Sequence, residues 1–490
     1  MNTQAKDPYS SAEKIGGNIL SLGSGEIVAR AIAFLGTAYV ARTLGPLQFG
    51  IIGFAAALFG YLSLSVTSDF GDVGSREVAR RPHEASSIAA NVIAVKLIVA
   101  VFALAALIAT ALLLNKPTTV KIVLSLMGLL FFSLAVNVSW VYKGLEQNRP
   151  IAISLILSQL LYTALVFLAV NGPEDAVVVP VAQFAGEISA ALILLFPLFR
   201  LGAIKLDLRE GFRIFRHSSF WAVSRLLRTL LFTFDIVLIG FLIGEQAVGI
   251  YSAPYRICFL LVALAVAVHS SYLPTFVRAF HSDLPLNETG KAAGRSLLLA
   301  VTVAAPLIVG GIIVSEPLLV FIFGSEYAGG ADAFKFLLVG IGFLFLHGAN
   351  HNVFLAANRL KTELMVFAAA AAVNIGLNIA VIPRYGIDGA AFATALAEAV
   401  TLVLGWFFVR KMGISLGLVA VWRPLLASML MGAALLALGE NHSLFLYLAA
   451  GGIVYLTALT LLRGFPLEFQ PFLRIINTSF NNLLKGIRAK

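Results

Sequence analysis

The sequence predicts an all-α polytopic membrane protein of about fourteen transmembrane helices, built as two parallel six-helix lobes plus two extra C-terminal helices. Three observations predict it. The 490 residues are 59% hydrophobic and only 12% charged, whereas a soluble chain carries roughly 25% charged residues. Apolar runs of the ~20 residues that a bilayer-crossing helix needs recur from end to end. Lysine and arginine fall on one side of these runs and avoid the other. The same composition excludes a disordered chain, a disulfide scaffold and a secreted enzyme. The single cysteine, Cys258, lies in an apolar run and reads as a small packing residue.

The predicted spans are 16–42, 50–68, 86–113, 120–142, 151–170, 176–199, 218–243, 247–274, 292–314, 333–356, 362–383, 388–410, 418–438 and 444–462. Span one contains Glu26 and Arg30, which interrupt any signal-peptide core. Gly45-Pro46 breaks it from span two. Lys116-Pro117 separates spans three and four, and Gly172-Pro173 separates five and six. A basic stretch, 200–217, reads as a linker between an N-lobe at 16–199 and a C-lobe at 218–410. The longest outer segment, about 315–332, is half apolar and too short for a soluble domain. Spans thirteen and fourteen, 418–462, form an appendage. Residues 1–15 and 463–490 are terminal segments.

An even number of spans puts both termini on one side. With that side cytoplasmic, 25 basic residues lie inside, 4 lie outside and 6 lie within spans. A missed helix would scramble this alternation downstream. The net charge of +10 divides accordingly. Most of it is a topological signal and implies no nucleic-acid partner; the remainder, two charges in excess inside the spans, points to something anionic.

An internal repeat accompanies the topology. Gly244, Gly249 and Ile250 match Gly45, Gly50 and Ile51 at an offset of 199. Asn358-Arg359 matches Asn148-Arg149 at 210, and Glu398 matches Glu187 at 211. Spans 1–6 and 7–12 are thus related in the same orientation, by an axis along the membrane normal. Two like-oriented bundles enclose a central cavity and reach alternating access by rocking.

Ionisable residues inside a span cost at least about 2.5–3.5 kcal/mol on insertion scales, so they rarely face lipid. The basic set is Arg30, Lys96, Arg225, Arg228, Arg256 and Lys335, and the acidic set is Glu26, Glu187, Asp235 and Glu398. Glu26 and Arg30 are spaced to pair on one face, and Lys335 is near enough to a span end to snorkel. Trp221, Arg225, Arg228, Phe232 and Asp235 form one stripe of span seven. Guanidinium gives forked hydrogen bonds to phosphate and keeps its proton. Arg30, Arg225, Arg228, Arg256 and Lys96 are therefore the candidates for an anionic headgroup, with Glu26 pairing in the cavity. Asn374 and Asn378, Thr394 and Glu398, and Asp235 offer oxygen ligands for Na⁺ or a protonatable site; helix–helix hydrogen bonding by Asn and Thr is the alternative. His347 and His351 lack the intervening Glu of a zinc protease motif and read as cavity lining with Asn350. No Walker A loop is present, so energy must come from a gradient, and no cofactor is implied.

Ala41-Arg42-Thr43-Leu44-Gly45-Pro46-Leu47-Gln48-Phe49-Gly50 resembles the first hairpin of the polysaccharide-exporter family of lipid-linked oligosaccharide flippases. Asp69-Phe70-Gly71-Asp72-Val73-Gly74-Ser75-Arg76-Glu77 and Pro383-Arg384-Tyr385-Gly386-Ile387-Asp388-Gly389-Ala390-Ala391 are similar to its later turns. The superfamily also holds multidrug extruders and lipid II flippases. The resemblance implies two lobes in a V and movement of an undecaprenyl-diphosphate-linked glycan from the inner to the outer leaflet of a bacterial cytoplasmic membrane. It implies diphosphate contacts from Arg30 and Arg256, and a Na⁺ site at Asp235, Asn374, Asn378 and Thr394. Asn378 stands where a carboxylate is expected, which shifts weight from Na⁺ to H⁺. Expected partners are the lipid-linked oligosaccharide, membrane lipids, and the polymerase or glycosyltransferases of the same pathway. Two alternatives stay open: a cation-coupled multidrug exporter, which six basic against four acidic span residues oppose, and a membrane glycosyltransferase or polymerase, which the short outer loops oppose.

Overall fold

The computed structural model describes the backbone of residues 8–67, 70–199, 205–281, 286–414, 421–439 and 442–466. Within these, the side chains of 8–24, 70–72, 217–228, 230–232, 281 and 286–288 lie outside the described set. The described residues are helical throughout, with no strand. The helices are α1 Pro8–Thr67, α2 Phe70–Arg80, α3 Ala85–Leu113, α4 Thr118–Met127, α5 Leu130–Val136, α6 Ser139–Gly144, α7 Asn148–Ala169 and α8 Val178–Phe199. They continue as α9 Leu208–Leu242, α10 Glu245–His281, α11 Leu286–Ile313, α12 Ser315–Phe323, α13 Ala331–Ala356, α14 Leu360–Lys411, α15 Trp422–Ala437 and α16 Leu444–Leu461.

Ten helical segments among the described residues are long and apolar enough to cross a membrane, against the fourteen runs of the sequence. Two helices each take up two of those runs. α1 turns at Gly45, whose φ of 74° only glycine adopts easily, and Pro46 then opens the second half with its pre-set φ. α14 turns in the same way at Gly386, φ 58°. The shorter apolar helices Thr233–Leu242 and Trp422–Ala437 lie in the seventh and thirteenth runs. Phe102, Leu113, Leu168, Ile453 and Leu461 are among many large apolar side chains left exposed, as a lipid-facing surface requires.

Three local departures have physical causes. The linker read at 200–217 becomes helix from Leu208, because Asp207 caps α9 by accepting from the backbone N–H of Arg209 at 2.9 Å and Glu210 at 3.3 Å. The outer segment 315–332 holds α12 and a 3₁₀ turn, Ser325–Gly330. The fourth span is broken at Asn137–Val138, where Asn137 Oδ1 accepts from Ser139 N at 2.9 Å. The break frees the carbonyl of Leu134, and buried Lys96 donates its Nζ there at 2.6 Å.

The chain divides into two compact units. The first comprises Met1–Arg256, Ile322–Tyr327 and Asn378–Ile387. Its α1, α7 and α8 pack side by side, and one of its cores gathers Val78, Ile88, Val92, Trp140, Leu194 and Leu198. Outside the spans, Arg81 ties the α2–α3 corner to α9 through Glu77 at 2.6 Å, Glu84 at 2.7 Å and Glu210 at 2.7 Å. The hydrogen bond to Glu210, with the other carboxylates, holds the guanidinium above its ordinary pKa. A base so raised keeps its full contribution at every pH below its ordinary value, so the guanidinium holds this knot throughout the physiological range. Buried Tyr327 donates to the carbonyl of Ala41 at 2.7 Å.

The second unit comprises Ile257–Phe321, Ala328–Leu377 and Asp388–Lys490. Here α15 and α16 pack on each other and on α11, with Tyr455 donating to the carbonyl of Thr302 at 2.7 Å. The appendage of the sequence is thus bonded into this unit.

The repeat is visible in backbone geometry. The turns after α6 and α13 share a left-handed residue, Glu146 at φ 58° and Asn358 at φ 54°. The next amide in each reaches back to a carbonyl five residues earlier, Gln147 to Tyr142 and Arg359 to Phe354, both at 2.8 Å. The equivalent positions are therefore Glu146 and Asn358, two residues off the Asn-Arg match read from sequence.

Candidate functional site

The candidate residues separate into three settings. Arg30 makes the predicted pair with Glu26, Nη2 to Oε1 at 2.6 Å, and both side chains are about half exposed. Arg256 is half-buried on α10, its guanidinium carbon 5.9 Å from the centroid of the Phe49 ring. Among the described residues no carboxylate pairs with it. The side chains of Arg225 and Arg228, with Trp221 and Phe232 of the same stripe, lie outside the described residues. Lys96 points into the helix packing at Leu134, as above. Lys335 pairs with Asp332 at 2.8 Å and is partly exposed.

Asp235 is fully buried. Tyr251 donates to its Oδ2 at 2.6 Å and Tyr255 at 2.9 Å, while the amide of Ile236 donates to Oδ1 at 2.8 Å. Sequence reasoning missed both tyrosines. Their signal was available: they stand i, i+4 on the helix that follows the aspartate's own helix through a tight turn at Gly244. Asp235→Ala would remove the charged acceptor of two buried hydroxyls, hydrogen bonds of about 1.5–3 kcal/mol each, so we expect a clear drop in thermal midpoint of the purified protein. Asp235→Asn keeps an acceptor and should recover most of it. Equal midpoints for the alanine variant and wild type would refute the anchoring role.

In the second unit, Asn374 and Thr394 are buried and meet at 3.5 Å, Nδ2 to Oγ1. Asn378, buried as well, belongs to the first unit. Glu398 faces not these groups but His347, Oε2 to Nε2 at 2.9 Å. A second pair, His351 with Glu363, follows one turn away. His347, Asn350, His351, Phe354, Glu363, Val366, Phe367, Thr401 and Gly405 line one partly open cleft. Sequence reasoning also missed Glu363, near the start of its helix, and His269, on a different helix. Gly348 was the available sign: a Cβ there would come within 2.1 Å of the His269 ring. Among the described residues no group of three His, Cys, Asp or Glu side chains could hold a metal ion.

Comparison with known proteins adds the family. Residues 15–280 match the model of a family described as polysaccharide biosynthesis protein. The probable flippase AglR of Haloferax volcanii is 28% identical over 422 residues, covering 82% of this chain and 83% of AglR. The probable low-salt glycan biosynthesis flippase Agl15 of the same organism is 24% identical over 475 residues, covering 94% of this chain and 96% of Agl15. Among solved structures, the lipid II flippase MurJ in an inward closed conformation superposes with a TM-score of 0.74 at 14% identity, over 90% of this chain and 98% of MurJ. The fold is thus that of the lipid II flippase, and the chain, a multi-pass membrane protein, belongs to the polysaccharide biosynthesis protein family.

Proposed function

We propose that this protein is a flippase that carries a polyprenyl-diphosphate-linked oligosaccharide from the inner to the outer leaflet of a cytoplasmic membrane, with both termini inside. The observation that carries the reading is Arg256: a guanidinium on a membrane helix, its carbon 5.9 Å from the Phe49 ring centroid, with no carboxylate partner among the described residues. Such a charge is costly in a bilayer unless an anion visits it. Flippase relatives of nearly full length make a lipid-linked glycan the natural visitor.

In this reading the headgroup enters an inward-open cavity. Arg256, Arg30, Arg225 and Arg228 neutralise the phosphates in turn, with Glu26 releasing Arg30 as the anion arrives; Lys96, bonded to the Leu134 carbonyl inside the helix packing, takes no part. The prenyl tail stays in lipid, and rocking of the lobes, coupled to an ion, exposes the glycan outside. The candidates for the ion are separate groups: Asp235 beneath its two tyrosines, Asn378, Asn374 with Thr394, and Glu398 with His347.

The test uses the full chain in vesicles that hold a polyprenyl-diphosphate glycan with a fluorophore on the sugar. A membrane-impermeant reductant bleaches the outer half of the label in protein-free vesicles. Bleaching beyond that half when the protein is present is the expected result. Bleaching confined to the outer half, with transport of a cationic dye instead, would overturn the reading in favour of drug export.

A further inference from the structure

Two histidines of α13 each face a carboxylate of α14, and the phosphate-binding scheme uses neither pair. His347 lies 2.9 Å from Glu398, and His351 contacts Glu363. The side chains of His347, Glu398 and Glu363 are only 11–13% exposed; His351 is more open and sits five residues from the end of α13. His347 is one helical turn, about 6 Å, deeper. Asn350, its Oδ1 buried without a partner, stands beside them in the cleft.

Among the described residues, imidazole is the only basic group in contact with either carboxylate. From α10, His269 comes within electrostatic range of both histidines, its Nε2 at 2.9 Å from the carbonyl of Phe345 and its Nδ1 buried without a partner. From α11, Ser296 and Thr302 are buried, whereas Lys291 and Arg295 are exposed. Arg359 and Lys361 in the α13–α14 turn, and Arg410 and Lys411 at the end of α14, are exposed as well. Among the described residues neither Glu363 nor Glu398 has a lysine or arginine partner. The first half of the repeat makes the contrast. Glu187, the counterpart of Glu398, accepts from Ser133 at 2.9 Å and Gln183 at 3.2 Å, two donors that do not titrate.

We propose that the His347–Glu398 and His351–Glu363 pairs are the proton-binding site of this transporter, and that they take the coupling proton of the flippase reading on which this inference rests. Imidazole changes charge between pH 5 and 8 without any special environment. Each pair passes from neutral imidazole with carboxylate, net charge minus one, to imidazolium with carboxylate, net charge zero. The proton enters at His351 and moves one turn inward to His347.

The first measurement needs no substrate. In the purified full chain with ¹³C-labelled histidine rings, the His347 and His351 signals should respond to added acid, and Glu398→Gln should alter the response of His347 and Glu363→Gln that of His351. Rings that do not respond, or a response unchanged by either substitution, would overturn the proposal. The second measurement imposes a pH gradient across the glycolipid vesicles. The ratio of flipping rates with and without the gradient should exceed one in wild type and fall to about one in the double glutamine variant. A double variant that responds as wild type does overturns the proton site and leaves the flippase reading standing. A wild type that flips nothing overturns the flippase reading, and the ring titration then decides the site alone.

Discussion

Gly50→Val should abolish accumulation of folded protein, whereas Gly60→Val on the same helix should be tolerated. Gly50 opens the second half of α1 and lies against the start of α10. A Cβ at Gly50 would sit 1.7 Å from the carbonyl oxygen of Glu245 and 2.7 Å from the amide of Gly249. The contact is reciprocal: a Cβ at Gly249 would sit 1.8 Å from the carbonyl of Pro46 and 3.0 Å from the amide of Gly50. Residues 46 and 245, and 50 and 249, are the same positions of the two repeats. One turn on, Gly53 faces Ser252, again the same position, with the hydroxyl 2.9 Å from where a Cβ would be. The two segments therefore cross at a local two-fold axis, backbone on backbone, as small residues allow in membranes. Ordinary overpacking costs about 1–3 kcal/mol because side chains can shift; here the obstacle is main chain. The turn above the crossing is pinned by Lys116, whose Nζ lies 2.8 Å from Glu245 and 2.6 Å from the carbonyl of Gly240, so the helices have little freedom to part. A Cβ at Gly60 would meet nothing within 4 Å, which makes that position the control. Size-exclusion profiles of the purified variants read the outcome. A monodisperse Gly50→Val protein at wild-type yield would refute the crossing.

That crossing also shows what the sequence made legible. The match of Gly45, Gly50 and Ile51 with Gly244, Gly249 and Ile250 was a pattern of identities, and the fold turns it into a contact, because a residue on a two-fold axis must meet its own equivalent. Hydropathy located the helical segments for a similar reason: a bilayer forces it, whatever the side-chain packing. Polar partnerships across helices were less legible. Glu26 and Arg30 share a helix, so their pairing followed from spacing alone. Asp235 with Tyr251 and Tyr255, Lys96 with the Leu134 carbonyl, and Glu398 with His347 join different helices or distant turns. Spacing along one helix carries no register between two. Lys96 is the clearest case: counted with the phosphate ligands by its charge, it sits at a helix break that no periodicity announced.

Arg256→Ala should slow glycolipid flipping by roughly one to two orders of magnitude without lowering thermal stability, and the two readouts together separate a substrate ligand from a structural residue. A hydrogen bond to a charged group contributes about 1.5–3 kcal/mol, and every 1.4 kcal/mol is a factor of ten in rate or affinity. In the resting protein the guanidinium has the Phe49 ring beneath it and no carboxylate. A cation–π contact returns only about 0.5–2 kcal/mol, less than the insertion cost of a charge in a span. Removing the charge should therefore leave the thermal midpoint unchanged or raise it. Cys258, buried two residues along the same helix, shows the ordinary solution for that region, a small apolar packing residue. Arg256→Lys should lie between wild type and alanine, since an ammonium keeps the charge but loses the fork that matches two phosphate oxygens. Rates of fluorophore bleaching in vesicles and thermal midpoints in detergent supply the measurements. An alanine variant that flips at the wild-type rate would remove Arg256 from the phosphate path. One that flips slowly and also melts early would make it a packing residue, whose cation–π contact and charge hold the fold and not the substrate.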